Sequence, residues 1–221
     1  SKRIMELFLM KYSKFIDIST ARFANVAFSQ GSLLDGFTKR IEKRQPLAAP
    51  IDVRRYFMTP KESGILCLMS TVLGENKEIF FPKLSEELHM IKFSDIAIRF
   101  LELLGYEPYI CSTEEEARKL SKELPEKGKW PCYFFESDTT GEKEYEEFYT
   151  ENEVVKLDKF IDIGIIKYSM EVEESKLKYF LQKVNHFKEN YWTKKDLVDL
   201  FKYLLPNFLH KETGKYLDQK M

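Results

Sequence analysis

The chain has 221 residues, and 43% of them are hydrophobic, which is enough to bury one substantial core or two smaller ones. Lysine and arginine (35) almost balance aspartate and glutamate (36), and the net charge of −1 argues against a protein that binds mainly to nucleic-acid phosphates. No apolar run approaches the ~20 residues that a membrane-spanning helix needs. We therefore expect a cytoplasmic protein that has neither nucleic acid nor a membrane as its partner.

The cysteines and histidines give no sign of a metal site. Cys67, Cys111 and Cys132 are widely spaced and form no Cys-x-x-Cys pair, and the three histidines form no His-Glu-x-x-His motif. This pattern is not typical of a disulfide framework or of a zinc site. We predict small buried thiols and no metal.

The chain begins with a predicted amphipathic helix, in which Ile4 and Leu7 share one face. Residues 15–28 (FIDISTARFANVAF) are rich in β-branched and aromatic residues, and they predict a strand that ends at the turn-forming stretch SQGS. Ser32 is placed to cap a second helix. Residues 45–53 (QPLAAPIDV) are typical of a loop.

A short predicted strand at 54–59 leads into a third helix, for which Thr59 and Glu62 have the spacing of a capping box. The segment EIFFP predicts a short buried strand, and HMIKF is a further strand candidate. Ser94 is predicted to cap the fourth helix, and Gly105 is predicted to end it.

The rest of the chain continues the alternation of strands and helices. Strands are predicted in YEPYICS, WPCYFFES and FIDIGIIKYS, and a helix with an acidic start and Thr113 as its predicted cap follows the first of them. Two further helices are predicted at 171–190 and 193–205. The alternation indicates an α/β architecture. We predict two parts, 1–155 and a mainly helical extension over 156–221.

Several segments, taken in order, carry a resemblance to a known family. They are SKRIMELFL, the Arg-Phe-x-Asn-Val strand with its Gly-Ser turn, VRRYFM, EIFFPKL and FSDIAIRFLELLG. Over about residues 1–150 they resemble the C-terminal half of an extended short-chain dehydrogenase/reductase. More narrowly, they are similar to bacterial UDP-N-acetylglucosamine 4,6-dehydratases. The resemblance implies the last strands of a Rossmann-type parallel sheet, a substrate-binding domain and a helical C-terminal extension.

The resemblance assigns a catalytic role to Lys2. In this superfamily a Tyr-x-x-x-Lys motif lies on a helix, often with Met in place of Tyr in the 4,6-dehydratases, and SKRIMELFL matches it from the lysine onward. Lys2 would then hydrogen-bond the nicotinamide ribose of NAD or NADP. The sequence contains no Gly-x-Gly-x-x-Gly motif, so we expect a missing N-terminal half to bind most of the cofactor and this chain alone to be inactive. The alternative is a solvated lysine at a helix start.

The resemblance also implies residues that bind the UDP part of a substrate. Asn25 and the backbone amides of Ser32 and Leu33 would bind the diphosphate, Arg55 takes the position of a diphosphate-binding arginine, and Glu142 matches a ribose-binding glutamate. Relatives have Arg-Pro-Gly-Glu where this chain has Thr-Thr-Gly-Glu, so one arginine of the pattern is absent. The alternatives are a turn-forming asparagine, a surface arginine and a solvated acidic stretch.

Three functions follow from these observations. The first is a UDP-N-acetylglucosamine 4,6-dehydratase of bacterial surface polysaccharide biosynthesis, with this chain as its substrate-binding half. The second is a UDP-sugar 4-epimerase on the same scaffold. The third is a non-catalytic module that binds a UDP-sugar or a partner enzyme. The resemblance also implies a homo-oligomer.

Overall fold

The structure is a computed structural model that describes residues 1–83, 90–141, 147–169 and 173–214. The helices in these ranges are α1 (Lys2–Tyr12), α2 (Leu33–Glu42), α3 (Pro60–Leu73), α4 (Phe93–Leu103), α5 (Glu114–Leu120), α6 (Glu174–Glu189) and α7 (Lys194–Leu204), with a 3-10 helix at Leu124–Lys127. The strands are β1 (Ser19–Ala21), β2 (Asn25–Val26), β3 (Leu47–Pro50), β4 (Arg54–Arg55), β5 (Phe57–Met58), β6 (Glu78–Pro82), β7 (Ile91–Lys92), β8 (Glu107–Cys111), β9 (Lys129–Phe135), β10 (Val154–Lys156) and β11 (Ile163–Lys167). None of these helices is long and apolar enough to cross a membrane.

The first sheet has the strand order β1-β6-β11-β10 and forms the larger core. β1 runs parallel to β6, whereas β11 is antiparallel to both β6 and β10. Every residue of β6 is buried, as expected for a central strand covered on both faces. α3 packs against β1 and β6, and α1, α6 and α7 contribute apolar residues to the same core.

The second sheet has the order β3-β9-β8, and its strands are all parallel. α2 and α4 supply Phe37 and Leu101 to a second core, in which they meet Leu47 and Trp130. The indole N–H of Trp130 donates to the backbone oxygen of Gln45 at 3.0 Å, so this buried polar group is satisfied. The architecture is therefore mixed α/β with parallel strands, which confirms the α/β class of the predicted fold.

The predicted helix caps are confirmed where the signal is local. The Ser32 hydroxyl accepts the backbone N–H of Asp35, and Thr59 and Glu62 form a reciprocal capping box. The Thr113 hydroxyl caps α5 by accepting the backbone N–H of Glu116. Gly105 follows α4 with φ +83°, a left-handed conformation that glycine adopts without steric cost.

Two local predictions are wrong. Residues 45–53 are not a loop, because they contain β3, which pairs in parallel with β9. β3 is an edge strand, where prolines are tolerated, and its Leu47 and Ala49 are fully buried. Ser94 does not cap α4, because the helix begins at Phe93 and its N-cap is Lys92. The strand β7 runs directly into this helix, and this places Ser94 in the first turn, where it is buried.

The predicted C-terminal helices are confirmed as α6 and α7. The ring of Phe180 on α6 lies 6.2 Å from that of Phe8 on α1, so α6 packs on the opening helix. The division of the chain at residue 155 stays a prediction. β11 lies after that residue and is hydrogen-bonded between β6 and β10 in the first sheet.

The cysteines differ in exposure, and this gives a chemical test of the fold. Cys111 and Cys132 are buried as predicted, whereas Cys67 on α3 is exposed, so the prediction was wrong for that thiol. Burial raises the pKa of Cys132 to about 12 and also raises that of Cys111. Since the thiolate is the reactive form, iodoacetamide at pH 8 should modify Cys67 alone in the native chain and all three thiols after denaturation. Intact and peptide mass spectrometry would show which thiols are modified. Fast labelling of Cys132 in the native chain would contradict its burial in the second core.

Candidate functional site

A wide cleft runs along one face of the molecule, and the predicted site residues that the structure describes all line it. Lys2, Asn25, Ser32, Leu33 and Arg55 contribute to its walls. Glu142 lies outside the described residues. The cleft has a volume of about 1990 Å³, which exceeds the ~300–1,000 Å³ of a pocket for one small ligand. It therefore has room for more than one ligand group.

Lys2 is the first residue of α1 and is exposed at the cleft. α1 buries Ile4, Leu7 and Met10 against the first sheet, and this fixes the helix whose first turn carries the lysine. The neighbouring Arg3 also lines the cleft and is bound to acidic side chains. The position of Lys2 thus depends on how α1 is held.

Asn25 and Ser32 lie on either side of a tight turn. The Asn25 N–H donates to the backbone oxygen of Tyr56 at 3.0 Å, where β2 pairs in parallel with β5. The turn then passes through Gly31 at φ +75°, a conformation that suits glycine, and reaches the N-cap Ser32. This local geometry brings the half-buried Asn25 and the start of α2 to the same wall of the cleft.

The backbone amides at the start of α2 are not equally available to an anion. The Ser32 N–H donates to the Ser29 oxygen at 2.9 Å, and the Gly31 N–H donates to the Asp35 carboxylate at 2.9 Å. Leu33 opens the helix, where backbone amides have no helical acceptor. Of the two predicted anion-binding amides, that of Leu33 is therefore better placed than that of Ser32.

Arg55 belongs to β4, which pairs antiparallel with β7. Its guanidinium lies 5.7 Å from the centre of the Phe93 ring, and it donates to the backbone oxygen of Arg54 at 2.8 Å. A cation over an aromatic face is held in place without losing its charge. Arg55 therefore presents a fixed positive charge in the cleft wall.

Aromatic rings form another part of the wall, at the end of β9. Tyr133 and Phe135 are two residues apart on one face of the strand, and their rings stack with centres 5.7 Å apart. Phe148 and Tyr149 also line the cleft, whereas Phe134 packs on the second core.

A charge cluster at the cleft floor was not predicted from the sequence. It consists of Arg3 and Glu6 from α1, Arg22 after β1, and Glu153 before β10. Arg22 donates to Glu6 at 2.8 and 3.0 Å and to Glu153 at 2.7 and 3.1 Å. It also donates to the backbone oxygen of Phe148 at 2.6 Å. The side chains of Glu6 and Glu153 are only 12% and 4% exposed, so this is a largely desolvated network.

The ionisation of the charge cluster follows from its burial and its pairing. Burial raises the pKa of Glu6 above its ordinary value, although Arg3 opposes this shift. Burial alone would lower the pKa of Arg3, but Glu6 and Glu153 raise it above its ordinary value. Burial also raises the pKa of Tyr168, whose buried hydroxyl has no hydrogen-bond partner among the described residues. Arg3 is therefore charged at any physiological pH, and Arg3 and Arg22 join α1 to the segment before β10.

The only sequence signal for the charge cluster was the arginine of the Arg-Phe-x-Asn-Val motif. Glu153 lies 131 residues after Arg22, in a stretch whose acidic composition predicts a solvated surface. Spacing arguments work within one element. They could not predict that the segment before β10 returns to the first strand.

The comparisons with known proteins agree with the fold. A family model described as "Polysaccharide biosynthesis protein" matches residues 1–168. The probable polysaccharide biosynthesis protein EpsC of Bacillus subtilis (strain 168) is 30% identical over 157 residues, which are 70% of this chain and 22% of that protein. The X-ray structure of Pen from Bacillus thuringiensis matches with a TM-score of 0.56 at 22% identity, over 78% of this chain and 48% of that chain.

The chain spans less than half the length of these relatives. The likeness to Pen shows the fold alone, since the identity is low. The family model, in contrast, matches about three quarters of the chain, from the opening helix to the end of β11. The chain belongs to the polysaccharide biosynthesis protein family.

Proposed function

We propose that this chain is the substrate-binding part of an NAD- or NADP-dependent nucleotide-sugar 4,6-dehydratase that acts on UDP-N-acetylglucosamine in bacterial surface polysaccharide biosynthesis. The observation that carries the proposal is the cleft, in which Lys2, Asn25, Leu33 and Arg55 face the same space. Membership of the polysaccharide biosynthesis family and the name of EpsC support the biological role. We expect a cytoplasmic homo-oligomer.

The proposed reaction converts the sugar to a 4-keto-6-deoxy product. C4 is oxidised, the proton on C5 and the hydroxyl on C6 leave as water, and C6 is reduced. A nicotinamide, when bound, would accept the hydride from C4 and return it to C6. Oxidation at C4 acidifies the C5 proton, so that a modest base suffices to remove it.

In this proposal Lys2 has an electrostatic task. Its ammonium would hydrogen-bond the nicotinamide ribose and favour the ionised form of a neighbouring acid or base. Its exposure at the cleft and the fixed α1 support this role. The dinucleotide itself would be bound mainly by the rest of the protein, because this chain has no glycine-rich dinucleotide motif.

The UDP part would lie against the cleft residues Leu33, Arg55, Tyr133 and Phe135. The fixed charge of Arg55 and the amide of Leu33 suit a diphosphate, which binds arginine and helix N-termini well. The stacked rings of Tyr133 and Phe135 offer an aromatic surface for uracil. A UDP-sugar 4-epimerase would use the same wall, so the reaction products must distinguish the two enzymes.

Arg55→Ala should weaken UDP binding by about tenfold, which is the effect of losing one charge-assisted contact of roughly 1.4 kcal/mol. Isothermal titration of the chain with UDP would measure it. Arg54→Ala is the matched control, because the neighbouring Arg54 is exposed and does not line the cleft. Equal effects of the two substitutions would contradict the assignment of Arg55.

The reaction itself requires the whole protein that contains this chain. We expect that protein with NAD or NADP to convert UDP-N-acetylglucosamine to a product that has lost one water, detected by mass spectrometry and NMR. A product of unchanged mass would indicate an epimerase. UDP-sugar binding without any product would indicate a binding module.

A further inference from the structure

The segment after α7 reaches back across the molecule to the cleft. Residues 210–214, here called the clasp, contact residues 138–141, here called the cleft loop. Asp138 and Thr139 of the cleft loop line the cleft. The family model ends at residue 168, so the clasp lies outside the matched part of the chain.

Hydrogen bonds join the clasp to the cleft loop over 70 or more residues of sequence. The Thr213 hydroxyl donates to the backbone oxygen of Asp138 at 2.6 Å, and the Thr213 N–H donates to the Thr140 hydroxyl at 3.2 Å. The Thr140 hydroxyl in turn donates to Glu212 at 3.0 Å. The Gly141 N–H donates to the backbone oxygen of Lys211 at 3.0 Å. Backbone and side-chain groups of both segments therefore take part.

The clasp is itself anchored to α7. The Phe208 ring, just before the clasp, lies 5.8 Å from the Phe201 ring on that helix. Glu212 forms an ion pair with Lys194 at the start of α7, and one of its carboxylate oxygens lies 3.1 Å from Nε2 of His210. The hydrogen bond from Lys194 is the main reason why the pKa of Glu212 lies well below its ordinary value. The carboxylate is thus ionised at neutral pH and can hold both partners.

The other end of the cleft loop is also fixed. The backbone N–H of Ser137, immediately before the loop, donates to the Asp52 carboxylate at 2.8 Å. Asp52 follows β3, and Ser137 follows β9, its partner strand in the second sheet. The cleft loop is therefore held by the sheet on one side and by the clasp on the other.

We propose that the clasp holds the cleft loop in its binding geometry and so raises the affinity of the cleft for the nucleotide part of a sugar nucleotide. Thr140 and Thr213 act as positioning residues. Ordering a loop on binding costs free energy, and a loop that is already ordered avoids this cost. The inference rests on the proposed function for its ligand and adds a role for the C-terminal segment.

The test is Thr213→Val, which removes the hydroxyl and keeps the size of the side chain. UDP is the probe, and its Kd should rise by about 3- to 10-fold, as expected for one lost hydrogen bond. Exchange of the Gly141 amide, followed by NMR, should become faster because its partner segment is released. Thr213→Ser keeps the hydroxyl, so its Kd for UDP and its Gly141 exchange rate should match those of the unsubstituted chain.

Thr71→Val is the matched control, because the Thr71 hydroxyl on the exposed surface of α3 also donates to a backbone oxygen, that of Cys67 at 2.9 Å. It should leave UDP binding unchanged. If the unsubstituted chain binds UDP but Thr213→Val does not change the Kd, the proposed role of the clasp is overturned and the proposed function stands. If the unsubstituted chain does not bind UDP, the proposed function fails and this inference fails with it.

Discussion

Arg22→Gln should lower the free energy of unfolding by about 3 kcal/mol, which is the lower end of the range for breaking a buried ion pair. The substitution removes Arg22, which is one of the two guanidiniums that bridge the carboxylates of Glu6 and Glu153; Arg3 is the other. Arg3 alone cannot replace it, because the Phe148 oxygen also loses its donor. Urea denaturation followed by circular dichroism would measure the loss.

The control for this prediction is Arg118→Gln, the same chemical change in an exposed pair. Arg118 binds Glu114 one turn away on α5, and their side chains are 59% and 50% exposed. Surface pairs of this kind contribute roughly 0–1 kcal/mol. Equal losses for the two variants would contradict the view that the charge cluster is desolvated.

The loss in Arg22→Gln should also depend on pH. Removing a cation from beside Glu6 raises the folded-state pKa of this carboxyl further above its ordinary value of 4.5. A raised folded-state pKa contributes stability below pH 4.5 and loses it as the pH rises through the folded value. The deficit of the variant relative to the unsubstituted chain should therefore be smallest in acid and largest at neutral pH.

The charge cluster matters for the candidate site as well as for stability. Glu6 lies on α1, one turn after Lys2, and Arg22 joins this helix to Phe148 and Glu153. Without Arg22, the link from α1 to Glu153 would depend on Arg3 alone, and the link to the Phe148 oxygen would be lost. We expect Arg22→Gln to weaken ligand binding even under conditions where the chain stays folded.

The sequence predicted those features that depend on neighbours along the chain. The caps at Ser32, Thr59 and Thr113 could be found because an N-cap and its partner lie within three residues. The apolar runs of β6 and β11 were equally clear, since central strands are hydrophobic throughout.

The features that were missed depend on distant parts of the chain. The prolines at 46 and 50 favour a loop over residues 45–53, and only the place of β3 at a sheet edge, beside β9, makes Pro50 acceptable in a strand. The charge cluster joins Arg22 to Glu153, and the clasp joins Thr140 to Thr213. No spacing rule relates such residues. The sequence therefore predicted residues that line the candidate site, but not the long-range contacts that hold them in place.

The second large effect is expected at Gly164, in the middle of β11. Gly164 is opposite Phe81 of β6, and an added Cβ would lie 2.3 Å from the tip of the Phe81 ring. Phe81 is 1% exposed and packs against Phe148 and Tyr149, so it cannot move aside. Gly164→Ala should therefore cost about 2 kcal/mol of unfolding free energy through overpacking.

Gly64→Ala is the matched control, because Gly64 lies within α3 and an added Cβ would meet no atom within 4 Å. Alanine there should raise the free energy of unfolding by roughly 0.5–1 kcal/mol, since it favours the helix. Opposite signs for the two variants would show that the contact with Phe81, and not the change of residue type, is responsible. If Gly164→Ala were neutral, β11 would not be packed against β6 as described. β11 lies after residue 155, and Phe81, which Gly164 faces, packs against the cleft residue Tyr149. A large loss of unfolding free energy in Gly164→Ala would therefore also mean that the cleft depends on residues beyond the predicted division of the chain.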